Sequence, residues 1–575
     1  MRTVKLRAFT GYFACCAALL AGCSDGATPL PMSNGSAGTS PTTGGAGSSS
    51  TAGSTSGSAP TAGTEAGGTS SSSAGTEAGG TSSGGQAPTG GSGGSGGGTV
   101  DTFTRPEGQL PNTASDPTMV NVPKADYEKD LVSPTFLDKH HIGQHLVLNG
   151  YLGIMGNEEF WFYDIKDPKK PTQLSEFLSP NRDPVGGPKK EGEAESHTAS
   201  LGKYGDKYYL VTTAGHGVDI WDVSNQKSVK HVKQITLEGI AYGDFTAAVW
   251  GLSWQGNYIY VGGTDQGLFI LDAHDPLNVT VAKRVPTSSF GTVSAGPLDA
   301  IGNILVITTP KESGGIATMD ISDPLNPVYL HSIKPEKSYI GMFYRRYVFL
   351  QTPLRAWDVL SDPTNFGTAS TPLSSLNTDA SEYMSFSDNY MFLGHLRPNG
   401  GASKIDVTDP SKMTVKGRIW GRLDVDGDKS LTDGINDDQF TLAVGSLLVM
   451  GDDEAPYAGA VIGVHSADPD TKPPVVDTII PKDKETGRNV KSRIGISFTD
   501  NIEFATVNSA SFIVRPVGGE PIKGVWGLRM GVLNFSPNEN LKPATTYEVI
   551  LPKGGITDLV RNGLAEDFKS TFTTK

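Results

Sequence analysis

The chain has 575 residues and a net charge of −14, and glycine alone accounts for 72 of its residues. This length is enough for two or three domains, and the acidic balance argues against a nucleic-acid partner. All three cysteines, Cys15, Cys16 and Cys23, lie within the first 23 residues. The folded part of the chain is therefore expected to lack disulfides, thiol chemistry and any cysteine-based metal site.

The N-terminus has the features of an export signal. Three basic residues, Arg2, Lys5 and Arg7, come first. The apolar stretch that follows them, residues 8–22, is too short to span a bilayer comfortably. It ends in Leu20-Ala21-Gly22-Cys23, which resembles the lipobox of bacterial lipoproteins. The resemblance implies that residues 1–22 are removed as a signal peptide and that Cys23 is acylated. With Ser24 next in the sequence, it implies a lipid anchor at the outer membrane or cell surface. A plain secretory signal with an incidental cysteine is the alternative.

Residues 23–100 consist almost entirely of Gly, Ser, Thr, Ala and Pro. No apolar periodicity is present, so nothing would offset the entropy lost if this segment were ordered. The segment is predicted to be a disordered linker that acts as a tether between the lipid anchor and the folded domains.

Residues 101–470 contain a recurring sequence motif. In each copy an aspartate stands between two apolar residues, and a short turn sequence, most often ending in Asp-Pro, follows. The first aspartates of the copies are Asp164, Asp222, Asp272, Asp320, Asp358 and Asp406, with His465 in a degenerate seventh copy. They are separated by 58, 50, 48, 38, 48 and 59 residues. Each copy follows two short apolar runs and precedes another, which predicts four strands per unit and a seven-bladed β-propeller. The repeated aspartate is expected to form an Asx-type turn.

This motif resembles the LVIVD repeat of bacterial surface proteins. The resemblance implies a propeller at the cell surface and carries no established reaction. The seventh unit lacks an outer strand, and residues 118–122 are predicted to supply it and close the ring.

Residues 471–575 change to short alternating apolar runs, about seven in number, which predict a β-sandwich. Segments such as Phe498-Thr499-Asp500-Asn501 and Phe535-Ser536-Pro537 resemble a bacterial Ig-like domain of the SbsA or Big type. That resemblance implies a spacer or adhesion module. The predicted fold class is therefore all-β: a propeller followed by an Ig-like sandwich and preceded by a disordered tether.

One acidic loop has the spacing of a calcium site. Its candidate ligands are Asp424, Asp426, Asp428, Ser430 and Asp433. Carboxylates at alternate positions can converge on one Ca²⁺ ion, and the loop resembles the first half of EF-hand or dockerin loops. It departs from them in Lys429, which replaces a glycine, and in Ile435, which replaces the bidentate glutamate. An acidic surface turn without metal is the alternative.

Histidines form a second candidate site. His140, His141 and His145 precede or begin the inner strand of blade one, and His197 stands near the start of that of blade two, with Glu193 and Glu195 close by in sequence. Because inner strands line the channel of a propeller, these side chains could meet there and hold a transition metal. Solvated or singly hydrogen-bonded histidines are the alternative.

The favoured function is a surface-anchored lipoprotein that acts as a binding or adhesion scaffold for an unknown protein or glycan ligand through its propeller face. The alternatives are an enzyme of the propeller hydrolase, lyase or quinoprotein type, with its site in the channel, and a structural part of an envelope assembly. Two long connections, residues 179–196 and 421–438, should emerge on the same face and form one composite site bordered by His197.

Overall fold

The structure of the protein is a computed structural model. It describes residues 136–137, 140–180, 195–241, 246–291, 293–310, 315–334, 341–351, 353–378, 381–395, 401–419, 422–423, 434–435, 439–452, 459–466 and 468–575. All of them belong to one compact unit, Ser95–Lys575. Within these residues no helix has the length and hydrophobicity needed to cross a membrane.

Seven antiparallel sheets follow one another along the described residues, and each is one blade of a propeller. Blade one comprises β1 (His145–Leu148), β2 (Tyr151–Met155), β3 (Glu159–Asp164) and β4 (Thr172–Leu178). Blade two comprises β5 (Ala199–Tyr204), β6 (Lys207–Ala214), β7 (Gly217–Asp222) and β8 (Lys230–Thr236). Blade three comprises β9 (Gly251–Gln255), β10 (Tyr258–Gly262), β11 (Leu268–Asp272) and β12 (Thr280–Val285), followed by a 3-10 helix at Thr287–Phe290.

The remaining blades repeat this arrangement. Blade four comprises β13 (Leu298–Ile301), β14 (Ile304–Thr308), β15 (Ile316–Asp320) and β16 (Val328–Ile333). Blade five comprises β17 (Gly341–Tyr344), β18 (Tyr347–Leu350), β19 (Leu354–Asp358) and β20 (Ser374–Leu376). Blade six comprises β21 (Ser381–Ser387), β22 (Tyr390–His395), β23 (Ala402–Asp406), a 3-10 helix at Pro410–Lys412 and β24 (Thr414–Ile419). A short pair, β25 (Arg422–Leu423) and β26 (Gly434–Ile435), precedes blade seven, which comprises β27 (Phe440–Val444), β28 (Leu447–Asp452) and β29 (Gly459–Val464).

Turn chemistry explains why the repeated aspartates mark the blades. The Asp222 carboxylate accepts the backbone N–H of Ser224 at 3.0 Å, and the Asp320 carboxylate accepts that of Ser322 at 2.7 Å. The same contact recurs at Asp164, Asp272 and Asp406. Each aspartate therefore ends the third strand of its blade with an Asx turn, as expected from the repeat.

A residue that precedes blade one in the sequence pairs with the outer edge of blade seven and so links the two ends of the propeller sequence. Phe136 and Ala460 of β29 exchange two backbone hydrogen bonds, of 2.9 and 2.7 Å. These bonds occupy the edge of β29 that faces away from β28, since one strand edge already pairs with β28. Residues 118–122, predicted to form this outer strand, lie outside the described residues.

The C-terminal residues form two four-stranded layers. The strands are β30 (Val476–Ile480), β31 (Glu485–Arg488), β32 (Ile494–Phe498), β33 (Ile513–Pro516), β34 (Gly524–Arg529), β35 (Val532–Pro537), β36 (Thr546–Leu551) and β37 (Phe568–Thr574), with a 3-10 helix at Phe504–Thr506. One layer has the order β30-β32-β35-β34 and the other β31-β37-β36-β33. Phe498, Phe535 and Tyr547 are buried in one apolar cluster of this sandwich. The predicted all-β fold, a propeller followed by a sandwich, is confirmed.

The sandwich is joined to the propeller by backbone pairing. Strand β34 pairs antiparallel with β5, the inner strand of blade two, so that one eight-stranded sheet crosses the domain boundary. Gly527 lets the same strand approach β9, the inner strand of blade three, because a Cβ atom there would lie 1.9 Å from the carbonyl oxygen of Trp254. The two domains consequently share a sheet as well as an apolar interface.

Candidate functional site at the open end of the channel

The C-terminal sandwich closes one end of the propeller channel, which we call the closed end. There the first and second strands of each blade meet in a tight turn. The two N–H groups of the blade-one turn, at Asn149 and Gly150, donate to the Glu503 carboxylate at 3.1 and 2.8 Å. Burial raises the pKa of Glu503, and these two bonds oppose the shift. Glu503 thus replaces the water that would otherwise solvate the turn.

Asn534 of β35 makes the corresponding contacts at blades three and four. Its amide nitrogen donates to the carbonyl of Ala300 at 2.7 Å, and its oxygen accepts from the N–H of Gly302 at 2.9 Å and from Gln255 at 3.0 Å. All three side-chain bonds are buried, so the interface has little tolerance for a shift of the sandwich.

The hairpin formed by β34 and β35 enters the channel itself. Ser200 of β5 donates to the carbonyl of Leu528 at 3.1 Å, and Arg529 reaches across to pair with Asp299 of β13. Beyond the hairpin a cavity of about 60 Å³ remains, lined by residues that include His145, Tyr383 and Met530. The inner strands begin on the far side of this cavity, and we call that side the open end.

Two of the predicted histidines meet at the open end. His141 lies just before β1 and His197 just before β5, and their ring centroids are 5.7 Å apart. Glu195 lies between them, with one carboxylate oxygen 3.9 Å from His141 Nδ1 and the other 3.0 Å from His197 Nε2. Both histidine side chains are about 95% buried, whereas that of Glu195 is 24% exposed. Side chains from two blades therefore bring two imidazoles and one carboxylate together.

An aromatic wall holds His197 in place. Its ring centroid lies 4.6 Å from that of Trp250, 5.4 Å from Tyr383 and 5.7 Å from Phe440. Tyr383 and Phe440 are themselves stacked, with centroids 3.9 Å apart. Because these rings come from blades three, six and seven, the wall fixes the imidazole from several directions.

The other histidines near the site have different surroundings. His140 Nδ1 lies 3.2 Å from Glu159, and its ring meets the edge of Trp161, so it does not join the cluster. His145 faces the cavity, and burial lowers its pKa to about 3. Neither ring nitrogen of His145 has a hydrogen-bond partner among the described atoms.

The candidate calcium ligands Asp424, Asp426, Asp428, Ser430 and Asp433 lie outside the described residues, as does most of the 179–196 connection. The described residues next to these segments do locate their ends. Leu178 ends the outer strand of blade one and Ile419 that of blade six, and each chain returns to the inner strand of the next blade. Both connections therefore start and finish at the open end.

The described residues hold one further acidic cluster, at the closed end. Carboxylate oxygens of Asp388, Asp470 and Asp500 lie within 4.8 Å of one another. Burial, and then the neighbouring carboxylates, raise the pKa of Asp500 well above its ordinary value. Lys472 lies 3.3 Å from Asp388 and offsets part of this negative charge.

Comparisons with known proteins agree with the two-domain architecture. The chain matches the LVIVD repeat over residues 248–287 and the Big_5 family, a bacterial Ig-like domain, over residues 470–574. No curated protein sequence matches the chain significantly.

Several solved structures are similar to part of the chain. The computationally designed Ika8 protein is 12% identical, with a TM-score of 0.37 over 58% of this chain and 99% of its own. The RRP9 WD40 repeats are 11% identical, with a TM-score of 0.39 over 58% of this chain and 100% of theirs. The Pan2 WD40 domain of Neurospora crassa is 10% identical, with a TM-score of 0.39 over 56% of this chain and 89% of its own.

Proposed function

We propose that this chain, an LVIVD-repeat β-propeller with a C-terminal bacterial Ig-like domain, is a surface-anchored lipoprotein that binds a protein or glycan at the open end of its propeller. One observation carries the proposal: the Ig-like domain occupies the closed end, with β34 paired to β5. A ligand that uses the propeller face then has the open end available to it.

The open end also has the chemistry expected of a binding face. The two longest connections between blades start there, and insertions on one face are how repeat proteins commonly build a binding surface. Exposed polar residues border it, including His216, Glu238 and Ser288. Calcium bound in the 424–433 loop would stiffen one of these connections.

The anchor is proposed from the sequence of the first 23 residues, and it can be tested separately. Acylation at Cys23 would attach the chain to the membrane through several acyl chains, each methylene contributing about 0.8 kcal/mol. The Cys23→Ala variant should therefore move from the detergent phase to the aqueous phase or remain uncleaved. Unchanged detergent partitioning would contradict the anchor and leave the binding face untouched.

The binding face is tested by a screen of the purified protein on glycan and protein arrays, followed by face-specific variants. Glu238→Lys and Ser288→Lys place a long cationic side chain at the open end. Ala282→Lys places the same side chain on the exposed outer strand β12 and is the matched control. Array ligands should bind the two open-end variants at least tenfold more weakly and the control unchanged. Equal binding by all three variants would place the ligand elsewhere.

An enzyme with its site in the channel is the second candidate, favoured by the meeting of His141, Glu195 and His197 at the open end. Two imidazoles and a carboxylate can serve in general acid–base chemistry or hold a catalytic metal. The test is a panel of ester, phosphoester and glycoside substrates. Turnover that disappears in His197→Ala, and persists in His140→Ala, would favour the enzyme over the scaffold.

A further inference from the structure

We propose that His141, Glu195 and His197 form a binding site for one zinc-type transition-metal ion at the open end of the channel. This site stands apart from ligand capture, because the metal would bind whether or not the propeller face holds a protein or glycan. The two hypotheses can therefore fail separately.

The distances between the donor atoms suit such an ion. Each of the three side chains offers one ligand atom, and these atoms all lie within 4.8 Å of one another. Ligand atoms about 2.0–2.1 Å from a tetrahedral zinc ion are about 3.3 Å apart. The separations of 3.0 Å and 3.9 Å between the Glu195 oxygens and the two imidazoles bracket that value. The two contacts use different oxygens of Glu195, so the carboxylate can present either one oxygen or both to an ion between the imidazoles.

His197 supplies an independent observation. Its Nε2 atom is buried and lies 3.0 Å from a Glu195 oxygen, yet the two atoms do not meet hydrogen-bond geometry. A nitrogen and a carboxylate oxygen that are close together without pointing at each other can both point at a third position. A buried polar atom in that state has an energetic cost that a bound ion would remove.

The donor set selects the type of metal. Two imidazole nitrogens and one carboxylate suit zinc and its first-row neighbours, whereas Ca²⁺ requires six to eight oxygens. Three protein ligands leave a fourth position for water or another donor. The side chain of Glu195 is 24% exposed while the two histidine side chains are buried, so Glu195 is the ligand that an ion arriving from solvent would meet first.

The aromatic wall makes the site rigid. Trp250, Tyr383 and Phe440 surround the His197 ring, so its orientation is fixed before an ion arrives. A preformed site loses less conformational entropy on binding than a mobile one. The surrounding rings also lower the local polarity and strengthen the attraction between the ion and the Glu195 carboxylate.

The experiment uses the protein purified without a polyhistidine tag and treated with a chelator. Titration with Co²⁺ should show one equivalent bound, visible d–d bands typical of a low-coordinate site, and displacement by one equivalent of Zn²⁺. The His141→Ala, Glu195→Gln and His197→Ala variants should each bind Zn²⁺ at least tenfold more weakly. His140→Ala is the matched control, because His140 is the adjacent histidine and contacts Glu159 instead.

If a variant folds poorly, a measurement on the unsubstituted protein still tests the proposal. Pulsed EPR of one equivalent of Cu²⁺ counts coordinated imidazoles, and two are expected. A count of zero or one, unchanged Zn²⁺ affinity in the three variants, or an equal loss in His140→Ala would each overturn the proposal.

Discussion

Arg529 of the Ig-like domain and Asp299 of blade four form an ion pair in which the side chains are 3% and 5% exposed. Burial raises the pKa of Asp299, and the neighbouring guanidinium opposes that shift. The pair lies inside the propeller channel and joins the two domains at the tip of strand β34. A buried charge of this kind is tolerated only while its partner is present.

Loss of either partner should therefore destabilise the whole unit. Arg529→Met removes the guanidinium and leaves Asp299 buried, at an expected cost of about 3–5 kcal/mol. The double variant Arg529→Met/Asp299→Leu removes both charges and should recover most of that loss. Urea unfolding of the two single variants and the double variant measures the coupling; a double variant as unstable as the sum of the singles would contradict it.

Backbone contact between β34 and β9 should be intolerant of even one methyl group. A Cβ atom at Gly527 would lie 1.9 Å from the Trp254 carbonyl oxygen, so Gly527→Ala must separate the strands. We expect the Ig-like domain to undock, with a larger radius of gyration in X-ray scattering and faster proteolysis between the domains. Gly519→Ala, in a turn whose nearest atoms belong to Pro516, is the control and should leave both unchanged.

Asp558, whose pKa is influenced by Asp470 of the acidic cluster at the closed end, should give the protein a distinctive pH dependence. Burial, and then Asp470, raise the pKa of Asp558 to about 7, against about 3.9 for an unfolded aspartate. Between these values the folded state binds more protons than the unfolded state. The free energy of unfolding should therefore fall as the pH rises towards 7, by at most about 1.4 kcal/mol per pH unit for this group.

Asp558→Asn tests that dependence. It removes the titrating charge and keeps one oxygen that can accept the N–H groups of Val560 and Asn562, which now donate at 2.9 and 2.8 Å. The side-chain amide of Asn562, which donates to the other carboxylate oxygen at 2.8 Å, loses its acceptor at every pH, so the test is the trend with pH. In urea unfolding, the stability of the variant relative to the unsubstituted protein should rise between pH 5 and pH 8. His465, whose pKa burial lowers to about 3, acts in the opposite direction and is present in both proteins. The exposed Asp567→Asn serves as control; an equal response of the two variants would refute the assignment.

The repeated aspartates should act through their turns alone. Asp222→Ala removes the acceptor of the Ser224 N–H and should cost about 1 kcal/mol. Asp222→Asn keeps an acceptor at the same position and should be close to neutral. Thermal unfolding distinguishes the two, and equal losses would mean that the carboxylate charge matters more than the turn.

The blades could be predicted from the sequence because their marker is local. An Asx turn involves residues two positions apart, so its signature is repeated in the sequence wherever a third strand ends. The histidine cluster was partly predictable for a related reason: His141 and His197 each lie a few residues before an inner strand, and inner strands converge on the channel. His140, one residue earlier, contacts Glu159 instead. The spacing of residues in the sequence does not tell which of two adjacent histidines points towards the channel.

The docking of the Ig-like domain could not be predicted in the same way. Strand β34 has an alternating pattern that fits a free sandwich edge as well as a paired one, and Gly527 alone gives no sign of its close neighbour. Whether an edge strand finds a partner depends on the shape of a surface built from distant residues. Phe136 illustrates a related limit. The missing strand of blade seven predicts that an N-terminal segment closes the ring, but it does not predict that Phe136 is the residue that pairs with Ala460.

The shared sheet has a consequence for how the chain reaches its native state. Ser200 and Leu528, which are hydrogen-bonded across the domain boundary, are 328 positions apart in the sequence. Contacts of such high sequence separation slow folding, because the loop between them must close before they form. During synthesis the inner edge of β5 stays unpaired until β34 has emerged, and an unpaired edge is a site of aggregation. Truncation before residue 524 should thus impair the propeller itself, even though every residue of its blades would be present.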